Sequence, residues 1–363
     1  MRVLHTSDWH LGNKFFGYDR DDEFELVLDF IIKTIKKEKI DVLLIAGDIF
    51  DVYYPPQNAL KMYYNFLIKA KKYLKHIFII AGNHDSISTL SAPKEILDAL
   101  DIKVISGDEE IEEMIVSIDE VDFLLVPFLR EVILRNRYGS DNLTENISNF
   151  YKEIISKSKN KKILTGHLTA INSKRSGSEK EIYIGKIEGV SADIFDGADY
   201  VALGHLHRYQ EIKKNVVYSG SILKMSFDEN DDKKLVIIDT DDFSYKFIDI
   251  PIFREIKTIN GTKEEINKEL EELNKKSHLK AFVELVFDEA IDNTEVEELK
   301  KEFNNIEIIK YSYKKESREI DFEKTIKDIS INAVFEEIFK DSSNYEELKN
   351  EFRQILEGLE DED

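Results

Sequence analysis

The chain has 363 residues, enough for two domains of which one buries a large core. It contains no cysteine, which excludes disulfides and thiolate metal sites. With 73 acidic against 51 basic residues, its formal net charge of −22 opposes nucleic-acid binding unless bound cations or a partner supply the phosphate contacts.

No apolar run approaches the roughly 18–20 residues that a membrane helix needs. The N-terminus reaches the polar residues Asp8 and His10 without an apolar leader segment. We therefore expect a soluble, cytoplasmic protein with no membrane partner.

Residues 1 to about 250 alternate short apolar runs with segments of helical periodicity. This alternation predicts a layered α/β sandwich, in which helices flank the central sheets. An apolar stripe from Phe24 to Ile35 predicts one helix, and Pro55 with Pro56 begins a second that ends near Leu74. The predicted strands are Arg2–Thr6, Val42–Ala46, Ile77–Ala81, Phe123–Val126, Lys162–Thr165, Tyr200–Leu203, Val216–Ser219, Leu235–Ile238 and Tyr245–Ile250.

Five of these strands are each followed directly by a short polar motif. The motifs are Asp8-x-His10, Gly47-Asp48, Gly82-Asn83-His84-Asp85, Gly166-His167 and Gly204-His205-x-His207. Ligands bind in the crevice outside the carboxyl ends of the strands in open α/β sheets, so we expect these side chains to meet. In an extended chain, the side chains of residues i and i+2 point the same way. Asp8 and His10, and likewise His205 and His207, would therefore each direct two side chains at one cavity.

The motifs offer seven candidate metal ligands, too many for one ordinary site. Their mixed oxygen and nitrogen donors fit two divalent ions about 3.5–4 Å apart, which clamp the attacking and leaving oxygens of a phosphoester. Such ligands suit Mn²⁺, with Mg²⁺ or Fe²⁺ as alternatives, better than structural zinc. Any one of these motifs alone is common and has a structural explanation. Five of them in this order favour a catalytic metal site over a structural role.

Four other polar residues have less specific roles. His5 lies within the first strand and is expected in the core, whereas His76 and His278 stand among lysines and are expected at the surface. Asp51, three residues after the Gly-Asp motif, is equally consistent with a structural role and with support of a ligand.

After Pro251 the pattern changes to β-α-β-α-β, which predicts a small α+β cap. Its predicted elements are Arg254–Thr258, Lys263–Lys275, Ala281–Phe287, Glu295–Phe303 and Glu307–Tyr313. Two amphipathic helices are predicted at 324–340 and 344–359. The predicted domains are therefore residues 1–250, 251–320 and 321–363.

Two basic stretches are candidate contacts. Lys310–Lys315 with Arg318 interleaves basic and aromatic residues, which suits a phosphate backbone and its bases but equally a protected edge strand. The Lys174–Arg175 loop is a candidate contact to DNA or to a second copy of the chain.

The order of the five motifs resembles that of the calcineurin-like metallophosphoesterases. Within that family, the chain is similar to the SbcD branch, the nuclease subunits of bacterial SbcCD complexes, from residue 1 to about 230 and more loosely beyond. The stretches that carry this similarity are MRVLHTSDWHLG, AGDIFD, AGNHDS, TGHLT, EIYIGK, ALGHLHR and YSGSILKMSFDE.

The resemblance implies a division of the ligands between two ions. One ion would be bound by Asp8, His10 and His207, and the other by Asn83, His167 and His205. Asp48 would bridge, since a carboxylate has two oxygens and a charge to offset two dications.

His84 directly follows a ligand on a turn and is predicted not to be one. Its ring could face the leaving 3′-oxygen and protonate it as a general acid. Asp85 could accept a hydrogen bond from the other ring nitrogen and fix the tautomer.

The resemblance also implies a function and partners. The implied activities are a Mn²⁺-dependent 3′→5′ exonuclease that acts on duplex ends and an endonuclease that opens hairpins. The implied enzyme is a homodimer that associates with an SbcC-type ATPase in DNA repair, recombination and replication. The C-terminal helices would bind the ATPase coiled coil, or would pack back on the cap.

Phosphoprotein phosphatases of the superfamily carry GDxxDRG, and GDIFDVYY here lacks that arginine. Two alternatives stay open, namely a stand-alone phosphodiesterase or nucleotidase for small molecules and an inactive scaffold for an ATPase.

Overall fold

The computed structural model describes residues 1–171, 173–174, 189–276, 278–314 and 349. The chain divides into two compact units, Met1–Tyr313 and Lys314–Asp363. The first unit contains both sheets of the sandwich, the cap and all five polar motifs. The predicted helices at 324–340 and 344–359 lie outside the described residues, with the exception of residue 349.

The N-terminal part supplies four parallel strands and the helices beside them. The strands are β1 (Arg2–Thr6), β2 (Val42–Ala46), β3 (His76–Ile80) and β4 (Ile102–Ile105). The helices are α1 (Asp21–Glu38), α2 (Gln57–Lys71), α3 (Ile87–Ser91) and α4 (Lys94–Asp98).

The middle of the chain supplies a second sheet in the order β5-β6-β7-β8-β10-β9. Its strands are β5 (Ile115–Ile118), β6 (Val121–Leu124), β7 (Lys161–His167), β8 (Tyr200–Gly204), β9 (Gln210–Lys213) and β10 (Val216–Tyr218). Two helices, α5 (Glu131–Tyr138) and α6 (Leu143–Lys157), connect β6 to β7. The chain then returns to the first sheet with β11 (Lys234–Asp239) and β12 (Tyr245–Asp249), giving the order β12-β11-β1-β2-β3-β4.

The two sheets pack face to face, and β2 shows how. Every residue of β2 is buried, and successive side chains point to opposite faces. Val42 and Leu44 belong to the core shared with the second sheet, whereas Leu43 and Ile45 belong to the core shared with α1 and α2. A strand covered on both faces needs a continuous apolar sequence, and VLLIA supplies it. The layered α/β sandwich is thereby confirmed.

The cap is a three-stranded parallel sheet with two helices. Its elements are β13 (Ile256–Gly261), α7 (Lys263–Lys276), β14 (Ala281–Phe287), α8 (Asn293–Glu302) and β15 (Ile306–Tyr313), with β14 central. The cap has its own apolar core. A smaller cluster of Phe15, Phe227, Ile256 and Phe282 joins it to the sandwich. The predicted β-α-β-α-β order is observed, and the domain boundaries at 250 and 320 stay predictions.

No helix among the described residues is long and apolar enough to cross a membrane. His5 is fully buried, with Nδ1 3.2 Å from the Tyr200 hydroxyl, as expected of a core histidine. His278 is exposed, while His76 is half-buried at the start of β3. Lys174 is described and Arg175 is not.

Candidate metal centre

The five polar motifs lie at or just after the carboxyl ends of β1, β2, β3, β7 and β8, so strands of both sheets contribute to one place. Close approach of the sheets here depends on glycine. A Cβ on Gly47 would overlap the ring of His167, and a Cβ on Gly204 would overlap the carbonyl oxygen of Ala46. The glycines that precede ligands therefore let the strand ends of the two sheets come together.

The ligand loops are held in left-handed backbone conformations. Asp8, His10, Asp48 and His205 have φ values of 52°, 48°, 49° and 95°. The backbone N–H groups of Asp8 and His10 donate to the carbonyl oxygens of Gly47 and Asp48, both at 3.0 Å. Asp8 and His10 thus meet through a strained turn and not through the extended chain that we expected. Strain of this kind concentrates at functional sites.

The first ligand group consists of Asp8, His10 and His207, whose donor atoms lie within 4.8 Å of one another. The Nε2 atoms of His10 and His207 are 3.2 Å apart. The Asp8 carboxylate accepts from the backbone N–H of His205 at 2.9 Å and from the Ser7 hydroxyl at 2.6 Å. All three side chains are buried, and they surround a position suited to a cation.

The second group consists of Asp48, His167 and His205, again within 4.8 Å. Asn83 joins it, because its Oδ1 lies 3.1 Å from His167 Nε2 and 2.9 Å from His205 Nδ1. His167 Nδ1 is 2.9 Å from the carbonyl oxygen of Ala46 and donates to it. That bond orients the ring so that Nε2 faces the site, as is usual for a histidine that binds metal.

Asp48 lies between the two groups. Its Oδ2 is 3.2 Å from His167 Nε2 and 3.7 Å from His10 Nε2. Although burial opposes ionisation, the neighbouring His167 and His10 hold the pKa of Asp48 well below its usual range. One ionised carboxylate is therefore shared by both groups, which is the position predicted for a bridging ligand.

Two of the histidine rings, those of His167 and His10, lie where positive charge is favoured, whereas burial and the neighbouring His167 lower the pKa of His205 to about 3. Burial opposes protonation of His167, but the Asp48 carboxylate raises its pKa to about 9. Burial likewise opposes protonation of His10, yet Asp51 and Asp48 raise its pKa to about 9. Protons on these rings offset the negative charge of the buried carboxylates. Divalent cations bound by the same donors would offset that charge while the rings stay unprotonated. The donor set thus fits divalent metal ions.

His84 lies beside the ligands. Its Nδ1 is 2.6 Å from the backbone carbonyl oxygen of Asp51, to which it donates. Its Nε2 is buried and has no hydrogen-bond partner in the part of the chain that the structure describes. The ring stands edge-on to His10, with 4.9 Å between centroids. A nitrogen of His84 also lies within 4.8 Å of donor atoms of His10 and Asp48, so its geometry is compatible with a ligand as well as with an acid.

We expected Asp85 to accept a hydrogen bond from His84, but the structure shows other partners for both side chains. The Asp85 carboxylate accepts from three backbone N–H groups, those of Ile49, Phe50 and Gly82, at 3.2, 3.1 and 2.8 Å. Asp85 therefore ties the Gly-Asp loop to the Gly-Asn-His-Asp loop. The backbone carbonyl of Asp51, and not Asp85, accepts from His84, because the turn directs the Asp85 side chain into the protein.

Two supporting residues were not predicted from the sequence. Glu229 Oε1 lies 3.5 Å from His207 Nδ1, and Lys233 Nζ lies 2.5 Å from Glu229 Oε2 and 2.8 Å from the carbonyl oxygen of His207. Although burial opposes its ionisation, Lys233 and His207 hold the pKa of Glu229 below its usual range. Asp51 gives similar support, with Oδ1 3.5 Å from His10 Nδ1. Glu229 lies in the SFDE stretch, four residues before Lys233. This spacing of an acid and a lysine is the sequence feature that could have suggested the pair.

A cleft of about 940 Å³ opens from this centre towards the cap. His10, His84 and His207 line the cleft together with Lys257 and Lys310 of the cap, and the acids Asp51, Asp228 and Glu284 line it as well.

Comparison with known proteins gives matches over most of the chain. A family model described as calcineurin-like phosphoesterase matches residues 1–209. The SbcD subunit of the nuclease SbcCD from Escherichia coli strain K12 is 28% identical over 386 residues, covering 99% of this chain and 96% of that protein. The SbcD subunit of the same nuclease from Staphylococcus saprophyticus is 31% identical over 293 residues, covering 77% of each chain.

Proposed function

This chain belongs to the calcineurin-like phosphoesterase family, and we propose that it is a two-metal DNA nuclease, the SbcD-type subunit of an SbcCD complex. The observation that carries the proposal is the pair of buried ligand groups that share Asp48. The match to the SbcD subunit from Escherichia coli extends through the cap to nearly the full length of this chain, which favours DNA over a small ester as the substrate.

We assign Mn²⁺ to both positions. Asp8, His10 and His207 would hold one ion, and Asn83, His167 and His205 would hold the other, as the motif order implies. Two such ions, when bound, supply a polarised phosphoester and an activated water for in-line displacement. Asp48 keeps its carboxylate between the two groups, and the Ala46 and Glu229 contacts keep the rings of His167 and His207 turned towards them.

His84 is the general acid. Because Nδ1 donates to the Asp51 carbonyl, Nε2 is the atom left to give a proton to the leaving 3′-oxygen. His84 is one of the residues that line the cleft, and its ring stands beside that of His10. Asp51 is then a positioning residue, since it acts on substrate through the His84 ring.

The substrates are DNA ends and hairpins. The enzyme degrades duplex ends 3′→5′, opens hairpins, and works as a homodimer with an SbcC-type ATPase. The cap contributes Lys257 and Lys310 to the cleft, which supports contact with a phosphate backbone close to the metals.

The test is an incubation of the full chain with Mn²⁺ and, separately, a 5′-labelled hairpin DNA, a 5′-labelled duplex and bis-p-nitrophenyl phosphate. We expect hairpin opening, progressive shortening of the duplex from its 3′ end, and ester hydrolysis. Asp48→Asn is the matched control, and we expect it to lose all three. Ester hydrolysis alone would identify a small-molecule phosphodiesterase, and no turnover of any substrate would identify a scaffold.

A further inference from the structure

Residues Phe15 to Tyr18 form a two-residue hairpin turn beside the cleft. The N–H groups of Phe15 and Tyr18 each donate to the other's carbonyl oxygen at 3.0 Å. The two central residues, Phe16 and Gly17, have positive φ values of 49° and 88°. Turns of this kind favour Asn-Gly, since a positive φ brings the Cβ of a larger residue against the backbone. Phenylalanine at the first central position is therefore disfavoured by the turn itself.

Packing explains only part of why a phenylalanine occupies this position, since the centroid of the Phe16 ring lies 5.1 Å from that of Phe15 and 5.8 Å from that of Phe227. The neighbouring Phe15 supplies the apolar anchor, with 2% of its surface exposed and its ring 5.0 Å from Phe227 and 5.6 Å from Phe282. Phe16, in contrast, is 58% exposed. A strained aromatic residue that stays in solvent gains little from burial, and such residues cluster at ligand sites.

The surroundings of the exposed ring point to its ligand. Phe16 lines the same cleft as His10 and His84. Lys310 Nζ lies 5.1 Å from the centroid of the Phe16 ring and 5.2 Å from that of Phe227. Lys310 Nζ is also 2.9 Å from Glu284 Oε1, which holds the ammonium group at the edge of the cleft. An exposed ring next to a lysine is the combination by which proteins bind unpaired nucleotides, with the base on the ring and the phosphate at the cation.

We propose that Phe16 is a stacking platform for an unpaired base next to the scissile phosphate, with Lys310 at the adjacent phosphate. This inference rests on the proposed nuclease function and narrows its substrate class. A base inside a duplex has both faces covered by its neighbours, so only a terminal, frayed or looped-out base can stack on the ring. The preferred substrates are therefore DNA ends with unpaired nucleotides and hairpin loops. Every base has an aromatic face, so no sequence preference follows.

The turn offers a variant that separates this role from a structural one. Phe16→Asn removes the ring and places a residue that the turn favours, so its Tm should equal or exceed that of the wild type. Phe16→Trp keeps an aromatic face. Both variants are compared with wild type, as full chains in Mn²⁺, on a duplex with three unpaired 3′ nucleotides and on the same DNA with an abasic site at each of the three in turn.

In the wild type, an abasic site at the stacked position should slow cleavage by about tenfold. Phe16→Asn should cleave the intact DNA about tenfold more slowly and should respond less than about twofold to any abasic site. Phe16→Trp should retain the wild-type response.

Two results would overturn the platform while leaving the nuclease intact. One is equal sensitivity of Phe16→Asn and wild type to abasic sites, and the other is a lower Tm with metal loss in Phe16→Asn, which would make the residue structural. A wild-type protein that cleaves none of these DNAs would instead refute the nuclease function and the platform with it.

Discussion

At the scale of single residues, His84 differs from His167 in what its Nε2 contacts. Both rings donate through Nδ1 to a backbone carbonyl oxygen, but His84 Nε2 has no hydrogen-bond partner among the described residues, whereas His167 Nε2 lies 3.2 Å from Asp48 Oδ2. We expect His84→Gln to lower Mn²⁺-dependent cleavage by about 10²–10⁴-fold, as loss of a general acid does, while both metals stay bound. His205→Ala, in contrast, should lose metal. Metal content is measured by elemental analysis of the variants that were assayed, and equal metal loss in both variants would show that His84 is a ligand.

Glu229 provides a second test at this scale. Its carboxylate orients His207 and is itself held by Lys233. Outer partners of this kind change metal affinity by about 10–100-fold, so Glu229→Gln should weaken Mn²⁺ binding by that factor. The matched control is Asp232→Asn, an exposed acid on the same loop, for which calorimetry should give the wild-type affinity. Unchanged affinity in Glu229→Gln would mean that the contact is not needed to orient His207.

The clustering of the candidate ligands could be predicted from the sequence, and the residues that support them could not, for a physical reason. Each candidate ligand is the last residue of a strand or lies within four residues after one, and a motif of that length is visible in the sequence. Glu229 and Lys233 act on His207 across more than twenty residues, and the Ala46 carbonyl acts on His167 across 121 residues. Backbone groups carry no sequence signal at all. Asp85 shows the converse case, because the motif placed it next to His84 but the turn directed it to backbone N–H groups.

At the scale of elements, the strands and helices of the cap could be predicted because the spacing of its apolar residues changes clearly between the strand period and the helix period. β14 and β15 agree with the predicted strands to within one residue. The helix α6 was not named from the sequence, although Ile147, Phe150, Tyr151 and Ile154 form a buried stripe at helical spacing. The short strands β4, β5 and β9 were not named from the sequence either, and all three lie at the edges of their sheets.

Arg254 ties the cap to α1. Its guanidinium donates to the Asp22 carboxylate at 2.7 and 2.9 Å and to Glu23 at 3.2 Å, and the arginine is 5% exposed. We expect Arg254→Met to lower the free energy of unfolding by about 1.5–3 kcal/mol, the usual contribution of hydrogen bonds to charged groups. Urea denaturation measures this. The control Arg135→Met removes an exposed pair with Glu131 and should cost less than about 1 kcal/mol. Equal effects of the two substitutions would mean that Arg254 adds nothing beyond a surface ion pair.

The two predicted C-terminal helices lie outside the described residues and stay a prediction. Their apolar stripes suit a partner surface, so truncation near Asp328 should leave Tm, metal content and Mn²⁺-dependent ester hydrolysis unchanged. Association with an SbcC-type ATPase, measured by pull-down, should be lost. Unfolding or aggregation of the truncated chain would show that the helices belong to the intramolecular core.

At the scale of the whole molecule, the charge of −22 and a DNA substrate are compatible only if the charge is offset where DNA binds. Two dications would bring four positive charges to a site whose ligand carboxylates are Asp8 and Asp48. Lys257 and Lys310 of the cap line the same cleft. Because the acids Asp51, Asp228 and Glu284 line the cleft as well, bound dications would make the field at the centre less negative than the net charge of the chain suggests.

The most direct test of the two-metal centre is anomalous diffraction at the manganese edge from crystals of the wild-type chain grown with Mn²⁺. A two-metal centre should give two peaks about 3.5–4 Å apart, one beside Asp8, His10 and His207 and one beside Asn83, His167 and His205, with the Asp48 carboxylate between them. A single peak, or two peaks that do not share Asp48, would contradict it.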